Sequence, residues 1–184
     1  MAILDRMETQ LTRLTHLIAD FLDVSKIKAG QLDFAKEPID IDAFVHDSAD
    51  TMQLISPTHT ISIHGVAHTY ILGDSDRLEQ VFTNLINNAV KYSPQATHVD
   101  IFITASQNMV TVSIRDYGIG IPQEHQPKIF DRFFRVSDVH DKTFPGLGMG
   151  LYISSEIVKR HGGRLWVESA ESEGTTFFIS LPIA

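Results

Sequence analysis

Apolar residues at the start of this chain recur at alternating steps of three and four: Leu4, Met7, Leu11, Leu14, Ile18 and Phe21. That is a heptad seam, and it predicts a helix from residue 3 to about 28 that packs against another long helix in a bundle or coiled coil. Ala29-Gly30 ends it, with Gly30 as a left-handed cap. From Gln31 the pattern shortens. LDFAKEPIDI reads as an extended segment, residues 41–54 as a helix, and TISIHGV and HTYIL as two short strands. HVDIFITAS and MVTVSIRDYG alternate with period two and join through Gln107-Asn108 like a hairpin. Residues 122–130 predict a short helix, 135–146 a polar loop, and 150–161 a helix closed by Gly162-Gly163. RLWVESA and TTFFISLP follow as a terminal strand pair. Strands interleaved with helices predict an α/β sandwich of one sheet and one helical layer.

The most informative helix is DSDRLEQVFTNLINNAVKYS, residues 74–93. Asp74 or Ser75 caps it, Leu78, Val81, Phe82, Leu85, Ile86 and Ala89 form its apolar face, and Ser93-Pro94 stops it. Arg77, Gln80, Asn84, Asn87, Asn88 and Lys91 share the opposite stripe. Asparagine in a helix costs roughly 0.5 kcal/mol relative to alanine. A merely wetted face is better served by Glu or Lys, so the amides mark a binding surface. Amide oxygens one turn apart, with an ammonium three residues on, can hold a hard cation and the phosphates that accompany it.

Two further motifs carry chemistry. Asp116 ends a strand and opens Asp-Tyr-Gly-Ile-Gly-Ile; its carboxylate can accept from an exocyclic amine while Gly118 and Gly120 let the backbone approach a flat ring. Gly146, Gly148 and Gly150 alternate at the start of a helix, where backbone amides bind phosphate and a loop can hinge. The sequence has neither G-x-x-x-x-G-K-[ST] nor a G-x-G-x-x-G after a strand. Gly65 between His64 and His68 breaks the helix that a metal-binding pair four apart needs, so these read as surface residues.

Composition narrows the picture further. The 184 residues allow one domain plus an appendage, and 15 basic against 23 acidic residues give a formal charge of −8, which argues against nucleic acid as a partner. Cysteine is absent, so disulfides and thiolate chemistry are excluded, and no apolar run reaches membrane-spanning length.

Taken in order, N-L-I-N-N-A-V-K-Y-S, D-Y-G-I-G-I, F-D-R-F-F-R, G-L-G-M-G-L and G-T-T-F resemble the N, F and three glycine boxes of bacterial sensor histidine kinases, of the gyrase, chaperone and histidine-kinase (GHKL) superfamily. The resemblance makes residues 31–184 a catalytic ATP-binding domain and residues 1–30, ending in S-K-I-K-A-G-Q-L, the second helix of a dimerisation hairpin. It implies a Bergerat-type α/β sandwich, a mixed sheet with a helical layer, preceded by a long N-terminal helix. ATP and Mg²⁺ are the implied ligands. On this resemblance Asn88 binds Mg²⁺, with Asn84 one turn earlier. Lys91 contacts phosphate, Tyr92 borders adenine, and Asp116 accepts the adenine amine beside Gly118 and Gly120. Gly146, Gly148 and Gly150 hinge a lid and present amides, Thr175 closes the adenine side, and Arg135 reaches toward the γ-phosphate. The implied partners are a phosphoacceptor hairpin, a response regulator and a second copy held through the N-terminal helix. The implied location is cytoplasmic, with any membrane anchor elsewhere in a longer protein.

One feature departs from the family. Its acceptor is a His followed by an acid, a basic residue and soon a Pro, and no such box occurs. His16 precedes Leu17-Ile18, while His46-Asp47 and His140-Asp141 fall in the first helix of the catalytic domain and in the lid. The chain therefore reads as a kinase catalytic part that lacks its own acceptor. Two alternatives stand beside it: an ATPase of the same superfamily, or a non-catalytic nucleotide-binding or dimerisation module. The ATPases carry a water-activating Glu four residues before the metal-binding Asn. Here that position is Asn84, and an amide cannot act as a general base.

Overall fold

A computed structural model describes residues 2–29, 34–136 and 147–184. The elements run α1 (Ala2–Lys28), β1 (Glu37–Asp40), α2 (Ile41–Ile55), β2 (Thr60–His64), β3 (Tyr70–Gly73), α3 (Ser75–Tyr92), β4 (His98–Ala105), β5 (Met109–Asp116), α4 (Gly150–Arg160), β6 (Arg164–Ala170) and β7 (Gly174–Pro182). The expected Gly30 cap, the loop over residues 137–146 with Gly146, and His140-Asp141 lie outside the described residues.

Five strands form a mixed sheet in the order β2-β4-β5-β7-β6, with β2 parallel to β4 and the other pairs antiparallel. Period-two alternation puts Val99, Ile101 and Ile103, then Val110, Val112 and Ile114, then Phe177, Ile179 and Leu181 on the buried face. Against that face packs the apolar stripe of α3: Leu78, Val81, Phe82, Leu85, Ile86 and Ala89 are all at most 1% exposed. Each large side chain so buried contributes roughly 1.5–3 kcal/mol. Helix α4 lies alongside α3 and over β6, and α2 packs on the other flank of α3. Asp74 caps α3 by accepting from the Arg77 amide at 3.0 Å.

The structure differs from the sequence pattern in two places. Strands β1 and β3 pair with each other in a separate two-stranded antiparallel sheet, because periodicity identifies a strand but not its partner. Residues 122–130 form successive three-residue-step turns, from Pro122 O to His125 N, His125 O to Lys128 N and Lys128 O to Asp131 N. Pro127 lacks the amide that a regular helix needs in its middle, so the segment does not become one.

Helix α1 has two unlike sides. Met7, Leu11, Leu14, Ile18 and Phe21 are 53–64% exposed, while Asp23, Val24 and Ile27 near its end are buried against the domain. Arg77 Nη1 donates to both Asp23 oxygens at 3.0 Å, Gln80 Nε2 to Asp23 Oδ2 at 2.8 Å, and Arg160 Nη2 to Ile27 O at 3.4 Å. The predicted seam is therefore an outward stripe. The side chain of Leu4, its first member, lies outside the described residues.

Candidate functional site

The polar stripe of α3 serves three purposes rather than one. Its first two members, Arg77 and Gln80, are engaged by Asp23 of α1. Asn84 turns to α4, donating from Nδ2 to Ser154 Oγ at 3.0 Å. Its Oδ1 lies so near Gly150 that a Cβ there would stand 2.5 Å away, so a glycine lets α4 begin against α3. Asn87 points to solvent, and Asn84, Asn88 and Lys91 line a cavity.

Asp116, at the end of β5, forms the far end of that cavity. Its Oδ1 accepts from Gly118 N at 2.9 Å and from Thr175 N at 3.1 Å, which leaves Oδ2 as the acceptor available to the cavity. Burial raises the Asp116 carboxyl from 3.8 to about 6, against the pull of those two backbone donors. The turn that follows presses on the end of α3. Ile119 N donates to Tyr92 O at 3.1 Å, and a Cβ on Gly118 would lie 2.0 Å from that same carbonyl. Only glycine fits there.

Thr175 lines the cavity and also positions the carboxylate. Its amide holds Asp116 from β7, and its hydroxyl meets Ser169 Oγ at 3.0 Å. Tyr92 lines the cavity beside Lys91, whose Nζ sits 4.8 Å from the tyrosine ring centre. Arg135, Gly120, Gly148 and Gly150 also face the cavity, so of the predicted site residues Gly118 lies behind its wall and Gly146 lies outside the described residues. Met149 precedes α4 with no side-chain cap, which leaves the first amides of the helix open toward the cavity and suited to an anion.

The cavity encloses about 300 Å³, the lower end of small-molecule sites. Its apolar wall was missed from sequence: Ile119, Ile121, Ile129, Phe134, Met149 and Phe177. Ile119 and Ile121, set between and after the glycines of the Asp116 turn, were the available signal, since a plain surface turn has no use for them. The site thus pairs an apolar slot ending in one carboxylate with a polar end of amides, cations and helix N–H groups. It suits a flat amine-bearing ring joined to phosphates. Among the described residues no group of three or more His, Asp or Glu side chains is arranged to hold a metal ion. The amide oxygen of Asn88 therefore fits a hard cation only if that cation arrives with phosphate oxygens of its own.

Fold and site define an ATP-binding domain of the Bergerat type: the chain belongs to the family of histidine kinase-, DNA gyrase B- and HSP90-like ATPases, whose model matches residues 73–184. That span opens at Gly73, just before the cap of α3, and takes in every residue lining the cavity. Among curated proteins the chain is similar to the sensor histidine kinase WalK of Bacillus subtilis, 35% identical over 179 residues and 95% of the chain. It spans 29% of that relative's length. Among solved structures, the mycobacterial sensor histidine kinase MprB superimposes with a TM-score of 0.70 at 29% identity, covering 80% of this chain and 97% of that one. Full-length ShkA in complex with AMPPNP gives a TM-score of 0.80 at 27% identity over 94% of this chain and 36% of that one.

Proposed function

We propose that this chain is the catalytic part of a sensor histidine kinase, which transfers the γ-phosphate of ATP to the histidine of a phosphoacceptor box on a dimerisation hairpin. Asp116 Oδ2 receives the adenine amine, and Ile119, Ile121 and Phe177 sandwich the ring. Lys91, Arg135 and the first amides of α4 take the phosphates. Asn88, with Asn84 beside it, holds Mg²⁺ by amide oxygen. When bound, the ion supplies charge to neutralise phosphate oxygens during transfer. Residues 1–30 act as the second hairpin helix, residues 31–184 as the catalytic domain, and a response regulator receives the phosphoryl group afterwards. The partner for the outward stripe of α1 is a second copy through the hairpin.

The observation that carries transfer over hydrolysis is Asn84. It stands where a hydrolytic relative has its water-activating Glu, and its amide nitrogen donates to Ser154 Oγ of α4. Asp116 is the sole carboxylate among the described residues that line the cavity, and it stands at the ring end. Water at the phosphate end therefore lacks a general base. Incubation with γ-labelled ATP, alone and with a protein bearing an intact His-acid hairpin, tests this. The expected result is little hydrolysis, no label on this chain, and acid-labile label on the hairpin. Rapid hydrolysis supports the ATPase reading, and binding without transfer to any competent hairpin supports a non-catalytic module.

A further inference from the structure

Helix α3 ends without a glycine, at Ser93 with φ −123° and ψ 49°, and Pro94 follows. Its last carbonyls need donors from elsewhere. Ser93 Oγ donates to Ala89 O at 2.6 Å, Ala96 N to Ser93 O at 3.0 Å, and Ile119 N to Tyr92 O. One more donor comes from a distant segment. His59, in the link between α2 and β2, is 5% exposed, and its Nε2 lies 3.0 Å from Ser93 O and 3.1 Å from Ser93 Oγ. A carbonyl only accepts, so Nε2 carries the hydrogen, and Nδ1 meets Thr58 Oγ1 at 3.0 Å. The histidine is itself held: Gln53 Nε2 donates to its carbonyl at 2.8 Å, and the Gln53 oxygen accepts from Ile61 N at 2.9 Å.

We infer that His59 is a positioning residue for the ring end of the nucleotide site, acting through the end of α3 on the Asp116 turn. This rests on the nucleotide reading above. The chain of contacts is short and stiff. His59 holds the Ser93 carbonyl together with Ala96 N; the adjoining Tyr92 carbonyl is the surface on which Gly118 sits, too close for any Cβ; and Gly118 N holds Asp116 Oδ1. A shift of a few tenths of an ångström at Ser93 has no slack to disappear into before it reaches Asp116. Lys91, whose side chain serves phosphate, lies further back along the helix and does not depend on that carbonyl.

Two polar substitutions separate the contacts. In His59→Gln the amide nitrogen takes the place of Nε2 and can still donate to Ser93. In His59→Asn the amide oxygen takes the place of Nδ1 and accepts from Thr58, while no atom reaches Ser93. Calorimetric titration of the full chain with MgADP, and competition by inorganic tripolyphosphate with Mg²⁺, read the two ends of the site. We expect His59→Asn to bind MgADP about tenfold or more weakly, the loss usual when a group orienting a ligand-binding residue is removed. His59→Gln should bind within about threefold of wild type, on the scale of a group whose hydrogen bond is replaced rather than lost. Tripolyphosphate competition should be the same in all three. Equal MgADP affinity in both variants, whether retained or lost, overturns the inference, as does a parallel loss for tripolyphosphate. A wild-type chain that binds no MgADP overturns the nucleotide reading and this inference together, a result distinct from the other two.

Discussion

Replacing Asp116 by asparagine tests both what the carboxylate does for the site and what its burial does to the fold. The carboxyl is raised from 3.8 to about 6 by burial, only partly offset by the Gly118 and Thr175 amides. At roughly 1.36 kcal/mol per pKa unit, the buried ionised form is disfavoured by about 3 kcal/mol relative to the unfolded chain. The sign follows from proton binding. Because the folded pKa is the higher one, stability is full below pH 3.8, falls as pH rises toward 6, and is lost by about that amount above it. The amide introduced by Asp116→Asn titrates nothing, and its oxygen still accepts from the two backbone donors, though more weakly than a carboxylate. Urea unfolding of ligand-free protein should therefore show Asp116→Asn gaining on wild type by about 2 kcal/mol between pH 4.5 and pH 7.5. Nucleotide binding should move the other way. An amide N–H₂ facing the ring amine replaces an acceptor with a donor, a loss of roughly 2–3 kcal/mol, or about thirty- to a hundred-and-fiftyfold in MgADP affinity. A stability difference that does not change over that pH range, or an unchanged affinity for MgADP, refutes the assignment of the carboxylate.

Further outcomes follow from the same geometry. Asn88→Ala should abolish most of the Mg²⁺-dependent part of ATP affinity while leaving adenosine binding unchanged; equal loss for both ligands counts against a cation role. Gly118→Ala should destabilise the domain by about 1–3 kcal/mol, since its Cβ collides with Tyr92 O, and should weaken MgADP more than tripolyphosphate; a neutral change in melting would sink it. Asp23→Ala strands the partly buried Arg77 guanidinium and should cost about 1–3 kcal/mol in urea unfolding, less than a fully buried pair because Arg77 is 25% exposed. In sedimentation, Leu11→Asp with Ile18→Asp should abolish a concentration-dependent dimer formed through α1, and a wild-type chain that stays monomeric at high concentration removes that role.

Sequence by itself determined most of the secondary structure and pointed to many of the residues that line the cavity. Period-two and period-3.6 patterns are local, so β4, β5, α3 and α4 were legible within a residue or two, as was the Asp74 cap. The amide stripe and the glycine turns were legible because each residue is a poor choice for its local structure unless something is to approach it closely. Tertiary structure alone decided how that stripe is divided. Arg77 and Gln80 have the same spacing as Asn88 and Lys91, and only the approach of α1 assigns the first pair to Asp23. Asn84 reads in one dimension only as a member of the amide stripe, and it is α4 laid beside α3 that gives its Nδ2 the hydroxyl of Ser154 as an acceptor. The helix expected over residues 122–130 failed on Pro127, which sequence shows but periodicity outweighed. The hold of His59 on Ser93 joins residues 34 positions apart, and the apolar wall of the cavity draws on segments spread from Ile119 to Phe177. Contacts across that distance leave no period in the chain, so their pairing is settled only when sheet and helices bring the segments together.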